Sequence, residues 1–333
     1  RSDVKSYKYW DSANGPKFSI EPHSDYQLNF SHLEDRFANK LSGISTPEIK
    51  QPNDNNNENS QRQCDVLGLH DAHIDKVVLS SETGYDTDDT IEDNVETFEQ
   101  KSLELLRKSK EDGTDTVFVT VGSDFWTVND DRNTTKRGTK QRVIVPFQES
   151  FEVGVEAVIR VIRYAAENFS TVEVPVIYGN HDEDLDFFLG MVLKHAFETT
   201  DHVKINNDRV ERKYYKFGNN GFMFAHGYHS KRKSDIQKLP SNFSEDTDRS
   251  ARIWYETRGG IRKAFLADIH HEKSYQHERS QDGIGLSIQF MRSIGNQGKY
   301  EWDNGWTGVP KTAYLWRFFE EGDREIVNKI VWW

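Results

Sequence analysis

The stretch Val172–Glu183, VEVPVIYGNHDE, decides the reading of this chain. Val172, Val174, Val176 and Ile177 form a β-branched run of the kind that a buried strand carries. The run stops at Gly179-Asn180-His181-Asp182, and residues 185–197 then read as helical. A strand that turns at a glycine and feeds a helix is an α/β unit. Ligand groups of open α/β sheets gather outside the carboxyl ends of such strands. Asn, His and Asp are residue types that hold metals or move protons, so this strand tip is a candidate site.

Working outward, the same arrangement recurs. CDVLGLHD leads to Asp71 and His73, TVFVTVGSD to Asp124, GFMFAHGYH to His226, and IRKAFLADIHH to Asp268 and His270. A single His or Asp after a strand is usually a cap or a turn residue. Five such tips in order point to one shared centre. Helical faces separate them, over 91–110 and over 149–169, the latter through Phe151, Val155, Val158, Ile162 and Phe169. The last third, 284–333, alternates aromatic and polar residues and reads as antiparallel strands with Gly-containing turns. The expected fold class is α/β, with strands and helices alternating from Cys64 onward.

The donors are carboxylate, imidazole and amide oxygen, with no thiolate. That set favours two divalent ions, Mn²⁺ first, with Fe, Zn²⁺ or Mg²⁺ as alternatives. Asp-x-His in an extended chain would turn both side chains the same way, so that two ligands grip one ion. Paired cations a few ångströms apart acidify water and neutralise phosphate oxygens.

The ordered set Asp71-Ala72-His73, Gly122-Ser123-Asp124, Gly179-Asn180-His181-Asp182, His226-Gly227 and Asp268-Ile269-His270 resembles the calcineurin-like metallophosphoesterases, whose pattern is DxH, GDxxD, GNHD/E, H and GHxH. The motifs cover about residues 64–275. Within that superfamily the chain looks closest to a phage and prophage branch related to SbcD-type repair nucleases, on GSDFWTVND, NTTKRGTKQ and DIHHEK. The resemblance implies a four-layer αββα sandwich and a phosphoesterase working through a dinuclear centre and a bridging hydroxide. It implies a phosphodiester substrate in DNA, RNA or nucleotides; the alternatives are a phosphomonoesterase acting on protein or small molecules, or a non-catalytic binding protein that kept the fold. It assigns Asp71, His73 and His270 to one metal, Asn180, His226 and Asp268 to the other, and Asp124 to the bridge. His181 would stabilise the transition state and protonate the leaving oxygen, Asp182 would orient its surroundings, and Asn129 would hold the catalytic histidine. Three positions depart from the pattern: Asp268 replaces the first His of GHxH, Ser123 is inserted in the GD block, and Thr127 stands where repair nucleases often have His.

Arg132–Arg142 (RNTTKRGTKQR) is basic without an acid. Beside the metals it would form a positive lip, with Arg132, Lys136, Arg137 and Lys140 on phosphates; otherwise it is a solvated loop. Lys231, Arg232 and Lys233 would extend it, and Tyr228 is placed to stack a base. Trp126 reads as core.

The chain has 333 residues, 43 Lys and Arg against 55 Asp and Glu, and a net charge of −12. That disfavours a protein held on long nucleic acid by bulk charge, but not one with a local basic groove. Hydrophobic residues make up 35%, with 20 Phe, 13 Tyr and 8 Trp, enough for a substantial core. No apolar run is long enough to span a membrane. The single cysteine, Cys64, excludes an internal disulfide. With no signal-peptide core at RSDVKSYKYW, the expected setting is cytoplasmic, the host cytoplasm if phage-encoded. Residues 1–60 read as an N-terminal extension followed by the polar linker QPNDNNNENSQRQ, with the catalytic domain over 61–333.

Overall fold

The apolar run at 171–177 is the strand β6 (Thr171–Ile177), parallel to β4 (Thr116–Val119), which is parallel in turn to β3 (Gln63–Gly68). This computed structural model describes residues 4–12, 15–22, 49, 61–276 and 285–332. The chain divides into Arg1–Pro47 and Glu48–Trp333. In the first unit β1 (Val4–Ser12) and β2 (Gly15–Pro22) pair antiparallel, with Tyr9 opposite Phe18. Of the polar linker, residues 51–60 lie outside the described residues, and Gln63, read as its end, is the first residue of β3.

In the second unit a mixed sheet adds β5 (Val121–Gly122) and β7 (Val203–Asn206) to β6, and β13 (Lys311–Phe319) and β14 (Glu325–Trp332) beyond β3. The last two run antiparallel, as their alternation predicts. A second mixed sheet has the order β11 (Lys273–Gln276), β12 (Ser287–Phe290), β10 (Arg262–Leu266), β9 (Asn220–Phe224), β8 (Lys213–Phe217). Here β12 pairs antiparallel to β11, as its alternation suggested, and parallel to β10, which the alternation did not. Alternation reports one face buried and one less so, and is silent on direction.

One apolar cluster joins the sheets: Cys64, Val66, Phe118, Tyr314, Trp316 and Phe318 from the first meet Tyr215, Phe222, Phe224 and Phe265 from the second. The Phe224 and Phe265 rings stack at 5.2 Å. At about 1.5–3 kcal/mol per buried large side chain, this cluster is a main source of stability. The other face of the second sheet packs Met223, Ala264, Leu266 and Ile288 against Ile236, Leu239, Phe243 and Ile253. These come from the helices α5 (Lys233–Ile236), α6 (Leu239–Glu245) and α7 (Asp248–Glu256). The first sheet carries α2 (Ile91–Glu111), α3 (Phe147–Asn168) and α4 (Glu183–Ala196), following the short α1 (Ser80–Thr83). Residue Thr90 caps α2 by accepting from Asp93 N. A last short helix, α8 (Lys299–Asp303), precedes β13. Among the described residues no helix is long and apolar enough to cross a membrane.

Candidate metal centre

The chain leaves β3, β5, β6, β9 and β10 at the same edge of the core, and the loops there interlock through their backbones. Asp71 N donates to Ser123 O, His73 N to Asp124 O, and Ala267 N to His226 O. Seven non-glycine residues have positive φ among those described, and six are Asp71, His73, Ser123, Asp124, Asp268 and His270. Side chains disfavour that region, and residues held there cluster at functional sites. The finding also corrects the route by which Asp-x-His works. Asp71 (φ 51°) and His73 (φ 43°) are both left-handed, so their segment is not extended. Gly179 has a steric role: a Cβ there would lie 2.1 Å from Asp124 Oδ1. Only glycine lets the β6 loop pass the carboxylate so closely.

All seven expected ligands come together. His226 is buried; its Nε2 lies 3.1 Å from Asp124 Oδ2, 3.0 Å from Asn180 Oδ1 and 3.5 Å from Asp268 Oδ1. His226 Nδ1 lies 3.9 Å, and His270 Nε2 3.8 Å, from Asp71 Oδ1. The His73 and His270 rings are 5.5 Å apart. Ligand atoms of Asp71, His73 and His270 all fall within 4.8 Å of one another, as do those of Asp71, Asp124 and His226. Each group could hold an ion; Asp71 is common to both, whereas the resemblance gives that place to Asp124.

The electrostatics are those of groups drawn into the interior. Burial pushes the Asp71 carboxyl up and the His73 imidazole down. Burial and Lys76 bring His270 down to about 4. Burial opposes ionisation at Asp124 too, yet His226, His181 and His73 together hold that carboxyl below the usual range. Conversely His226 is raised, against its burial, by Asp124, Asp268 and Asp71. The donor set fits divalent cations: three buried carboxylates crowd one space, and His73 Nδ1 is buried without a hydrogen-bond partner.

His181 stands beside the cluster, its ring 4.9 Å from that of His73 and its Nε2 4.0 Å from Asp124 Oδ2. Its Nδ1 donates to the Thr127 carbonyl at 3.0 Å. That contact corrects the expectation for Asn129, which is engaged with Asp184: Asn129 Nδ2 donates to Asp184 Oδ2 and Asp184 N donates to Asn129 Oδ1, both at 2.7 Å. A backbone carbonyl replaces the side chain, so the residue type at 127 carries no signal. Asp182 is also turned away from the cleft. Its Oδ2 accepts from Trp126 N at 2.8 Å and it pairs with Asp186, which accepts from Gly179 N at 2.7 Å. Burial pushes both acids up, with Asp186 adding to the rise at Asp182 and Asp124 to that at Asp186.

Two clefts meet at the cluster. One, of about 920 Å³, is lined by His73, Asp124, Asn180, His181, Asp268 and His270, with Lys140, Arg142 and segment 295–301. The other, of about 270 Å³, shares Asn180 and takes in His226, Lys136, Arg137 and Tyr228. Arg137 lies 4.3 Å from the Tyr228 ring centroid and donates to its hydroxyl at 2.7 Å. Lys136 pairs with Asp184. Arg132 differs from the expected lip: it is exposed, pairs with Asp130, and lines neither cleft. Trp126 is core.

Two contributors carried little sequence signal. The inserted Ser123 puts its Oγ 2.8 Å from His226 Nδ1 and so sets that ring. Lys231, expected on the lip, places Nζ 2.8 Å from Asp268 Oδ2.

No family model matches the sequence, and no curated protein matches it. Among solved structures it is similar to Chaetomium thermophilum Vps29, at 10% identity and a TM-score of 0.33, over 80% of this chain and 97% of that one.

Proposed function

We propose that this chain is a calcineurin-like metallophosphoesterase, layered helix–sheet–sheet–helix, that hydrolyses phosphodiesters of nucleic acids or nucleotides in the cytoplasm. One observation carries the reading: seven donors from five separate stretches converge on one edge of the two sheets. Asp71, His73 and His270 would hold one divalent cation, with Mn²⁺ the first candidate. Asn180, His226 and Asp268 would hold a second, and Asp124 would serve both. Bound there, the cations supply a nucleophile from water at neutral pH and offset charge on the phosphate.

The chain's own residues do the rest. Ser123 and Asn180 orient His226. Asp186, accepting from Gly179 N, and Asp182, accepting from Trp126 N, keep the Gly179 turn against Asp124. The Thr127 carbonyl accepts a hydrogen bond from His181 Nδ1, leaving Nε2 directed at the cleft; in the doubly protonated form the ring gives its Nε2 proton to the departing oxygen and keeps the one on Nδ1. Arg137, Lys140 and Tyr228 flank the phosphate position.

A second reading has its own observation. The Lys231 ammonium sits where a second cation would meet Asp268, which suits a protein that binds one ion or none and no longer catalyses.

The test is hydrolysis of bis-p-nitrophenyl phosphate and p-nitrophenyl phosphate with Mn²⁺, alongside metal analysis. The expected result is two ions per chain and faster release from the diester. His181→Ala should abolish turnover with metal content retained, and Asp124→Ala should lose both ions. Full metal occupancy in the Asp124 variant would remove the bridge assignment. One ion or none, with no turnover, would favour the second reading.

A further inference from the structure

The larger cleft continues well beyond the donor cluster. Its lining includes Tyr300 and Trp306, whose rings lie 5.6 Å apart and nearly perpendicular. Both remain open to solvent, at 65% and 49% exposure. Folded proteins rarely leave such rings uncovered side by side without a use. The charge around them is also out of keeping with the chain. The net charge is −12, yet the cleft is lined by Lys76, Lys140, Arg142, Lys231, Lys299 and Lys311 against Asp124, Asp268 and Glu301; Lys76, Arg142, Lys231 and Lys299 pair with Glu301, Glu82, Asp268 and Asp303, which leaves Lys140 and Lys311 outside these ion pairs. Two of the three lining acids belong to the donor cluster. The volume, about 920 Å³, leaves room for more than a reacting phosphate.

Exposed rings in a cleft that also presents Lys140 and Lys311 match a ligand with π faces and negative charge. The smaller cleft, on Arg137 and Tyr228, lets substituents lie on both sides of a phosphate at the cluster. We propose that Trp306, with the Tyr300 ring perpendicular beside it, stacks a nucleobase of a single-stranded oligonucleotide whose neighbouring phosphate lies at the donor cluster. The proposal rests on the phosphodiesterase reading and specifies its substrate.

The test is fluorescence anisotropy of a labelled ten-residue phosphorothioate oligothymidylate with the full chain and Mn²⁺. Trp306→Ala should weaken binding about tenfold, and Trp306→Phe should restore most of it. Tyr255→Ala, an exposed ring outside the cleft, should bind as the unaltered chain does. An abasic oligomer of equal length should bind weakly and be indifferent to Trp306→Ala. The proposal is overturned if the unaltered chain does not bind the oligomer, if Trp306→Ala binds equally well, or if the abasic oligomer binds as tightly. Hydrolysis of bis-p-nitrophenyl phosphate tests the phosphodiesterase reading separately. Turnover with Trp306-independent binding would end this proposal alone, and Trp306-dependent binding without turnover would end only the catalytic reading.

Discussion

Asp268 is the residue on which the second ion depends, and its neighbour decides its availability. The carboxyl is nearly buried, and the Lys231 ammonium 2.8 Å away, with His226, keeps it ionised against that burial. An incoming dication must displace or tolerate this ammonium. Lys231 is itself half exposed, so the pair contributes only about 1 kcal/mol. Lys231→Met should therefore tighten Mn²⁺ binding by roughly fivefold, read by titration calorimetry. Weaker binding in that variant would mean that Lys231 supports the site instead of competing for it.

At the scale of elements, the pairing of β3 with β13 contains a buried ion pair. Arg317 stands opposite Asp65 and donates to both its carboxylate oxygens, at 2.8 and 2.6 Å. Thr114 Oγ1 adds a third bond, and Arg317 also reaches Asp112. Removing Asp65 leaves the buried guanidinium with the partly exposed Asp112 in place of two buried carboxylate contacts. Asp65→Ala should cost about 3–5 kcal/mol in urea denaturation, whereas Asp65→Leu combined with Arg317→Leu should recover most of that loss. Equal losses in the single and double variants would count against the ion-pair account.

The first residue of β8 supplies a pH test. Lys213 is buried, donates to Asp208 O and Val210 O, and burial brings its ammonium down from 10.5 to about 8. Between those values the unfolded chain holds a proton that the folded chain has lost, so stability rises with pH across the window. The unaltered chain should gain on Lys213→Met from pH 8 to 10.5, by on the order of 3 kcal/mol in all. A gap that does not change with pH would refute this.

For the whole molecule, the donor cluster couples metal binding to folding. Asp71 and Asp124 are buried and the Asp268 carboxyl is nearly so, so the three repel one another, and six residues there hold left-handed backbone. Cations that bind only the assembled edge should stabilise the fold by about 2.7 kcal/mol at a hundredfold excess over Kd. Mn²⁺ should raise Tm by several degrees, EDTA should reverse the rise, and Asp124→Asn should abolish it. A Tm indifferent to Mn²⁺ in calorimetry would count against a cation site.

The sequence by itself determined the alternation of strands and helices and the residue types at the strand tips. Both are local: β-branched runs such as 172–177 declare buried strands, and glycine turns declare where they stop. It also determined which side chains are candidates, since metal-ligand types are few and their order was kept. Only the tertiary structure decided what each one touches. That His181 rests on the Thr127 carbonyl, that Asn129 turns to Asp184, and that Lys231 meets Asp268 follow from loops interlocking across residues distant in the chain. Backbone carbonyls leave no mark on residue identity, and a parallel β12 leaves none on alternation. Contacts of that kind exist only once the two sheets have closed on their common core.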